Sequence, residues 1–168
     1  MKYLKFMLVL GFALTISAAG FAQAKYIGVN GCKMCHNKAE KGAQFAQWQK
    51  TGHAKAYSKL DDAGKKNPEC LKCHSTAGSV DKSLLATIKV DEGVSCESCH
   101  GPGSMYKTAA IMKNKEQALA KGMIEPTEAT CKACHFGKKP DGHPAAKKAW
   151  NFAEFNKVIS HPDPTLKK

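Results

Sequence analysis

One five-residue pattern occurs four times in the chain and uses every cysteine in it. Each copy has two cysteines separated by two residues, and a histidine follows the second cysteine directly. The pattern is typical of covalent attachment of haem c, in which the thiols bind one porphyrin edge and the histidine is the proximal iron ligand. The four copies are Cys32-Lys-Met-Cys35-His36, Cys70-Leu-Lys-Cys73-His74, Cys96-Glu-Ser-Cys99-His100 and Cys131-Lys-Ala-Cys134-His135.

Three other uses of paired cysteines fit the pattern less well. A disulfide framework needs no histidine after every second cysteine, and paired zinc sites would leave the four histidines as a coincidence. A thioredoxin-like redox pair needs one motif rather than four. The sequence therefore predicts four covalently attached haem c groups, bound by the eight cysteines, with His36, His74, His100 and His135 as proximal ligands.

The first 24 residues have the pattern of a secretory signal peptide. Two lysines near the start precede an apolar run, and small residues close the segment at Ala22-Gln23-Ala24. The apolar run is shorter than the roughly 20 residues that span a bilayer. We predict cleavage after Ala24 and export to the periplasm or beyond it to the cell exterior. A single tetrahaem domain over residues 25–168, with no integral membrane segment, would remain.

The chain has a formal net charge of +12, which becomes +10 when the two leader lysines are removed. It contains no arginine, and its lysines are scattered without a sustained run or interleaved aromatic residues. This distribution does not favour nucleic-acid binding. Haem propionates would neutralise part of the charge, and the remaining lysines favour redox partner proteins with acidic docking surfaces.

The length of the chain limits how it can fold. The 144 residues that follow the leader provide 36 residues for each haem, which is too little polypeptide for an ordinary aliphatic core. We therefore predict that the four haems themselves form the core of a compact, mainly α fold with extensive coil.

Local signals place the secondary structure. They predict a helix over Lys38–Leu60, with a weak point at Gly42 and a break at Thr51-Gly52. A short strand is predicted at Leu84–Val90, and a helix from Ser104 to Lys121. A last helix is predicted to be capped by Asn151 and stopped by Pro162 after His161.

The number of histidines limits the iron coordination. Four of the seven are proximal, so His53, His143 and His161 remain for four distal positions. At least one iron must therefore take a methionine, another weak ligand or an open position. The methionine candidates are Met105 and Met112, which would share an apolar face on the predicted Ser104 helix.

With these motifs in place, the chain resembles the tetrahaem cytochrome c-554 family. The resemblance rests on the strings Gly31-Cys-Lys-Met-Cys-His36, Trp48 with Thr51-Gly-His-Ala-Lys-Ala56, Gly93-Val-Ser-Cys-Glu-Ser-Cys-His-Gly-Pro-Gly103, and Phe152-x-x-Phe155 with Ile159-Ser-His-Pro162. It implies a mostly helical, compact multihaem cytochrome whose core is four stacked c-type haems, arranged in closely stacked pairs. It also implies that His53 ligates the haem of Cys96 and Cys99, that His161 ligates the haem of Cys32 and Cys35, and that the second haem can lack a distal ligand.

The chain departs from this family in one place. The family commonly supplies a distal histidine for the fourth haem shortly after Gly-Pro-Gly, but residues 104–114 contain none. For that haem the first candidate is His143, the second is Met112 or Met105, and the third is an open site.

The function expected from these features is electron transfer between redox partners through closely packed haems. Two alternatives remain. An open iron at His74 or His135 could reduce a small nitrogen oxide such as nitric oxide, although the sequence shows no convincing set of proton donors. The chain could also be the subunit of an extracellular cytochrome filament.

Overall fold

The computed structural model describes residues 23–165, and the predicted signal peptide lies outside this range except for its last two residues. In this range the chain forms short helices joined by coil, without a β-strand, so the predicted mainly helical class is confirmed. None of these helices has the length and apolarity to cross a membrane. The α-helices are α1 (Val29–His36), α2 (Gln44–Gln49), α3 (Pro68–His74), α4 (Cys96–His100), α5 (Ala109–Met112), α6 (Lys115–Ala120), α7 (Glu128–His135) and α8 (Phe152–Ile159). Short 3-10 helices cover Ala39–Lys41, Tyr57–Lys59, Gly64–Lys66, Lys82–Leu84, Val90–Glu92 and Gly103–Met105.

The segment predicted as one helix, Lys38–Leu60, is broken into separate pieces. A 3-10 helix covers Ala39–Lys41, α2 follows it, and turns lead to the next 3-10 helix. Gly42 and Ala43 have φ angles of 96° and 46°. A right-handed helix cannot continue through two left-handed residues in a row, so the weak point expected at Gly42 is a complete break.

The helix predicted from Ser104 to Lys121 is also wrong. A 3-10 turn and the separate helices α5 and α6 occupy this segment. The Ser104 hydroxyl does not cap a helix, because it accepts a hydrogen bond from the backbone N–H of Lys25 at 2.7 Å. Met105 and Met112 therefore lie in different elements and do not share a helix face.

Two further local predictions have opposite outcomes. The strand predicted at Leu84–Val90 is wrong, since the segment contributes only an isolated parallel bridge between Tyr26 and Leu85. The cap of the last helix is confirmed, because the Asn151 side chain accepts the backbone N–H of Glu154 at 3.2 Å. That helix, α8, ends before His161, which lies in the extended segment beyond it.

The apolar core of the described chain is small. Its main cluster is Val29, Phe45 and Trp48, and the Trp48 indole donates a hydrogen bond to the Val94 carbonyl at 2.9 Å. The other buried apolar residues between positions 23 and 165 are Ile27, Ala56, Ala77, Ile88, Tyr106 and Ala118. So few and so small buried side chains cannot supply the core of a chain of this size, which leaves room for another apolar group.

Buried hydroxyl groups join the segment after the second motif to the segment around the third. The Thr76 and Ser98 hydroxyls lie 2.6 Å apart, and the Ser95 hydroxyl donates to Thr76 Oγ1 at 3.0 Å. The Ser95 backbone N–H donates to the same oxygen at 2.7 Å. Because these groups are buried and satisfied, they fix helices α3 and α4 relative to one another.

Candidate haem-attachment site

Each of the four cysteine motifs lies on a short helix that ends at the motif histidine. The helices are α1, α3, α4 and α7, and their last residues are His36, His74, His100 and His135. Positions i, i+3 and i+4 of a helix share one face, so each helix presents two thiols and one imidazole to the same side. All eight cysteines are free thiols. No group of three or more His, Cys, Asp or Glu side chains in the part of the chain that the structure describes could hold a bare metal ion.

Thiols of different motifs lie next to each other. Interaction with the neighbouring Cys96 thiol, followed by burial, raises the pKa of Cys32, and the same contact lowers the pKa of Cys96. This contact joins the first motif to the third.

Two more interactions between thiols extend the series. Burial raises the pKa of Cys99 to about 11, with a smaller contribution from Cys131 of the fourth motif. Burial also raises the pKa of Cys134 to about 11, with a further contribution from Cys73 of the second motif. The motifs are therefore neighbours in the order first, third, fourth, second.

Every histidine outside the motifs lies opposite a motif histidine. The ring centres are 6.1 Å apart for His53 and His135, 6.2 Å for His74 and His143, and 6.1 Å for His100 and His161. Two imidazoles that bind one metal ion from opposite sides have ring centres roughly 6.3 Å apart, given a metal–nitrogen bond of about 2 Å on each side. The three pairs thus have the spacing of axial ligands to a shared iron.

Backbone carbonyls fix the tautomer of four of these rings. Nδ1 faces a carbonyl oxygen in each, at 2.9 Å for His74, 3.1 Å for His100, 2.8 Å for His143 and 2.8 Å for His161. A ring nitrogen that faces a carbonyl must donate its proton, so Nε2 keeps a free lone pair for a metal. Both members of two pairs are therefore prepared for coordination through Nε2.

Partial burial favours the neutral form of three of these rings, which is the form that binds a metal. It lowers the pKa of His53 and of His100. Burial also lowers the pKa of His135, with the nearby Lys139 charge acting in the same direction. The arrangement therefore fits haem iron with two neutral imidazole ligands.

These positions differ from the pairings that the family resemblance implied. His53 lies opposite His135 of the fourth motif instead of the third-motif histidine, and His161 lies opposite His100 instead of His36. His143 was expected at the fourth motif, eight residues away along the chain, but its ring lies opposite His74 of the second motif. His74 and His135, the two positions at which the sequence suggested an open iron, thus each have a histidine ring opposite.

A cavity of about 450 Å³ lies at the second motif. Its lining includes Cys70 and His143, the apolar Leu60, Pro140 and Pro144, and the polar Lys59, Asp61, Asn67 and Asp141. The cavity thus has a motif thiol and an imidazole on its wall, which are the groups that would hold a thioether-linked haem.

Two site residues carry no signal in the sequence. Glu97, one of the variable residues of the third motif, is 2% exposed and accepts backbone hydrogen bonds from Ile27, Gly28 and Gly103. Trp150 packs against the His135 ring with 5.2 Å between ring centres. Glu97 looks like a surface residue in the sequence, and Trp150 lies 15 positions from the histidine that it contacts.

Comparison with known proteins finds similarity to one family. The family model described as cytochrome c554 and c-prime matches residues 31–101. Cytochrome c-554 of Nitrosomonas europaea is 29% identical over 154 residues, a match that covers 74% of this chain and 63% of that protein. The chain thus spans less than two thirds of the length of this relative. No solved structure matches the chain significantly.

Proposed function

We propose that the chain is a member of the cytochrome c-554 family, and that it is an exported tetrahaem c-type cytochrome that carries electrons between redox partner proteins. Membership of the family implies covalently bound haem c and a role in electron transfer. The proposal adds four haems, cleavage of residues 1–24 and a single domain over residues 25–168. It also places the protein in the periplasm or outside the cell.

The observation that carries the proposal is the series of thiol interactions between motifs. The Cys32 thiol interacts with that of Cys96, the Cys134 thiol interacts with that of Cys73, and Cys131 lies close enough to Cys99 to affect its pKa. Groups attached at these cysteines would be neighbours along one path from the first motif to the second. Electron transfer through closely packed centres needs such a path. Four redox sites that work independently would not need their motifs to be neighbours.

The residues have distinct tasks in this proposal. Bound haem supplies a one-electron couple between ferric and ferrous iron. The motif cysteines would hold the haem covalently, and the motif histidines would each bind its iron. His53, His143 and His161 would be the second protein ligands of three of the irons. Carbonyl oxygens at Nδ1 orient four of the six paired rings and increase their basicity, which favours the ferric state.

The surface charge suggests how partners would be recognised. Many lysines of the described chain are exposed, and the carboxylates that pair with some of them are at the surface as well. Exposed ion pairs contribute little to stability, so these lysines remain available for steering. We expect acidic partners and association rates that fall as the salt concentration rises.

Mass spectrometry of protein isolated from a host that matures c-type cytochromes tests the haem count. The expected mass is that of residues 25–168 with four haem increments, and reduction should take up four electrons per chain. Replacing Cys99 and His100 together by alanine should remove one increment. A wild-type mass that corresponds to fewer than four haems would refute the tetrahaem proposal. A mass that still includes residues 1–24 would refute the predicted cleavage.

A further inference from the structure

The histidine of the first motif differs from the other three motif histidines. The seven histidines all lie within residues 23–165, and six of them form the three facing pairs. His36 is the remaining one, and no aromatic ring of the described chain stands opposite it at the spacing of the pairs. Three histidines were available for four distal positions, and the first motif is the one that lacks a facing histidine.

We propose that the haem held by Cys32, Cys35 and His36 has no protein ligand on its second face and binds a small neutral diatomic molecule there, such as carbon monoxide or nitric oxide. The proposal rests on the proposed tetrahaem function. A five-coordinate ferrous haem binds such ligands, whereas two histidines on one iron exclude them. The site is therefore the first haem, and neither the second nor the fourth.

Methionine and tyrosine are the other side chains that could take the sixth position. Met34, inside the first motif, is 76% exposed and points into solvent. Tyr106 lies close enough to Cys32 for the thiol to affect it, but its hydroxyl donates to the carbonyls of His100 and Gly101 at 2.9 and 2.8 Å. Burial raises the pKa of Tyr106, so it remains a neutral phenol engaged in these bonds.

Solvent reaches the second cysteine of the first motif. Cys35 is exposed, whereas the other seven motif cysteines are partly buried. Met34 beside it is open to water as well. An exogenous ligand can therefore approach this haem from the surface.

Carbon monoxide titration of the ferrous holo-protein counts the open irons. The wild-type protein, shown by mass spectrometry to carry four haems, should bind one carbon monoxide per chain. His53→Ala, His143→Ala and His161→Ala should each raise the number to two, because each variant opens one further iron. Met34→Leu is the matched control and should leave the number at one.

The same titration can overturn the proposal. A wild-type protein with four haems that binds no carbon monoxide would mean that the first iron has an endogenous ligand such as Met105. A distal variant that still binds one would mean that its own haem was the open one. Fewer than four haems in the wild type would instead count against the tetrahaem function, so the two failures are distinguishable.

A second measurement locates the ligand without altering any distal histidine. Cys35→Ala leaves the first haem with one thioether and one free vinyl group, which shifts the absorption of that haem to longer wavelength. The carbon monoxide difference band should shift in this variant and remain unchanged in Cys134→Ala, the equivalent change at the fourth motif. A shift in Cys134→Ala alone would overturn the assignment.

Discussion

Replacing Glu97 should strongly destabilise the protein, because this one side chain holds the first motif against the third. Its carboxylate accepts the N–H of Ile27 at 2.9 and 3.1 Å, that of Gly28 at 2.8 Å and that of Gly103 at 2.6 Å. Ile27 and Gly28 lead into α1, and Gly103 follows the third motif. With 2% exposure, the carboxylate is screened from water.

The magnitude follows from the three donors. Glu97→Ala leaves three buried N–H groups without their acceptor, and each unsatisfied group costs about 1–3 kcal/mol. Water that enters the space of the lost side chain offsets part of this cost, so we expect a total of about 3–6 kcal/mol. Glu97→Gln keeps one acceptor oxygen but places the amide N–H₂ group against backbone N–H donors. It should lower the free energy of unfolding by about 1–3 kcal/mol.

Guanidinium chloride unfolding of the haem-loaded variants, followed by circular dichroism, measures these differences. Glu69→Gln is the matched control, because the Glu69 side chain is 64% exposed and pairs with Lys72 at the surface. That change should lie within about 0.5 kcal/mol of the wild type. If Glu97→Ala, with all its haems attached, were also within about 1 kcal/mol, the inferred role of the buried carboxylate would be wrong.

Two further predictions concern the fourth motif and the ligand geometry. Trp150 packs on the His135 ring and donates its indole N–H to Glu128 at 2.8 Å. Because the ring is only partly buried, Trp150→Ala should cost about 1–3 kcal/mol in the same unfolding experiment, and Trp150→Phe should recover part of this. Equal stability of Trp150→Ala and wild type would contradict the packing. In the three histidine pairs the ring planes lie at 67°, 59° and 72° to each other, and strongly crossed axial rings leave two iron d orbitals nearly degenerate. Electron paramagnetic resonance of the ferric protein should therefore show strongly anisotropic low-spin signals, whereas rhombic signals alone would indicate parallel rings.

The local features of the site could be predicted from the sequence because short stretches of chain determine them. A cysteine, a second cysteine three positions later and a histidine one further on share a helix face wherever they form a helix, and all four copies do. The cap at Asn151 is equally local, since it needs only a side-chain oxygen within reach of an N–H three positions ahead.

Tertiary contacts could not be predicted in this way. Ser104 has the sequence context of a helix cap, but its hydroxyl bonds to Lys25, which is 79 positions away. His143 follows His135 by eight residues, yet its ring lies opposite His74. Such partners depend on how the motif helices are arranged around groups that occupy the core, and no periodicity of the chain contains that information.

The sequence feature that predicted an unusual iron is explained by the same long-range contacts. The segment after Gly-Pro-Gly lacks a histidine, and the family resemblance assigned that gap to the fourth haem. In the structure this segment is held beside the chain that leads into the first motif. The Ser104 N–H donates to the Lys25 carbonyl at 3.1 Å, its hydroxyl accepts the Lys25 N–H, and the Glu97 carboxylate joins Gly103 to Ile27. A histidine in this segment would lie near the first motif. Its absence therefore explains why the His36 ring has no facing histidine in the described part of the chain.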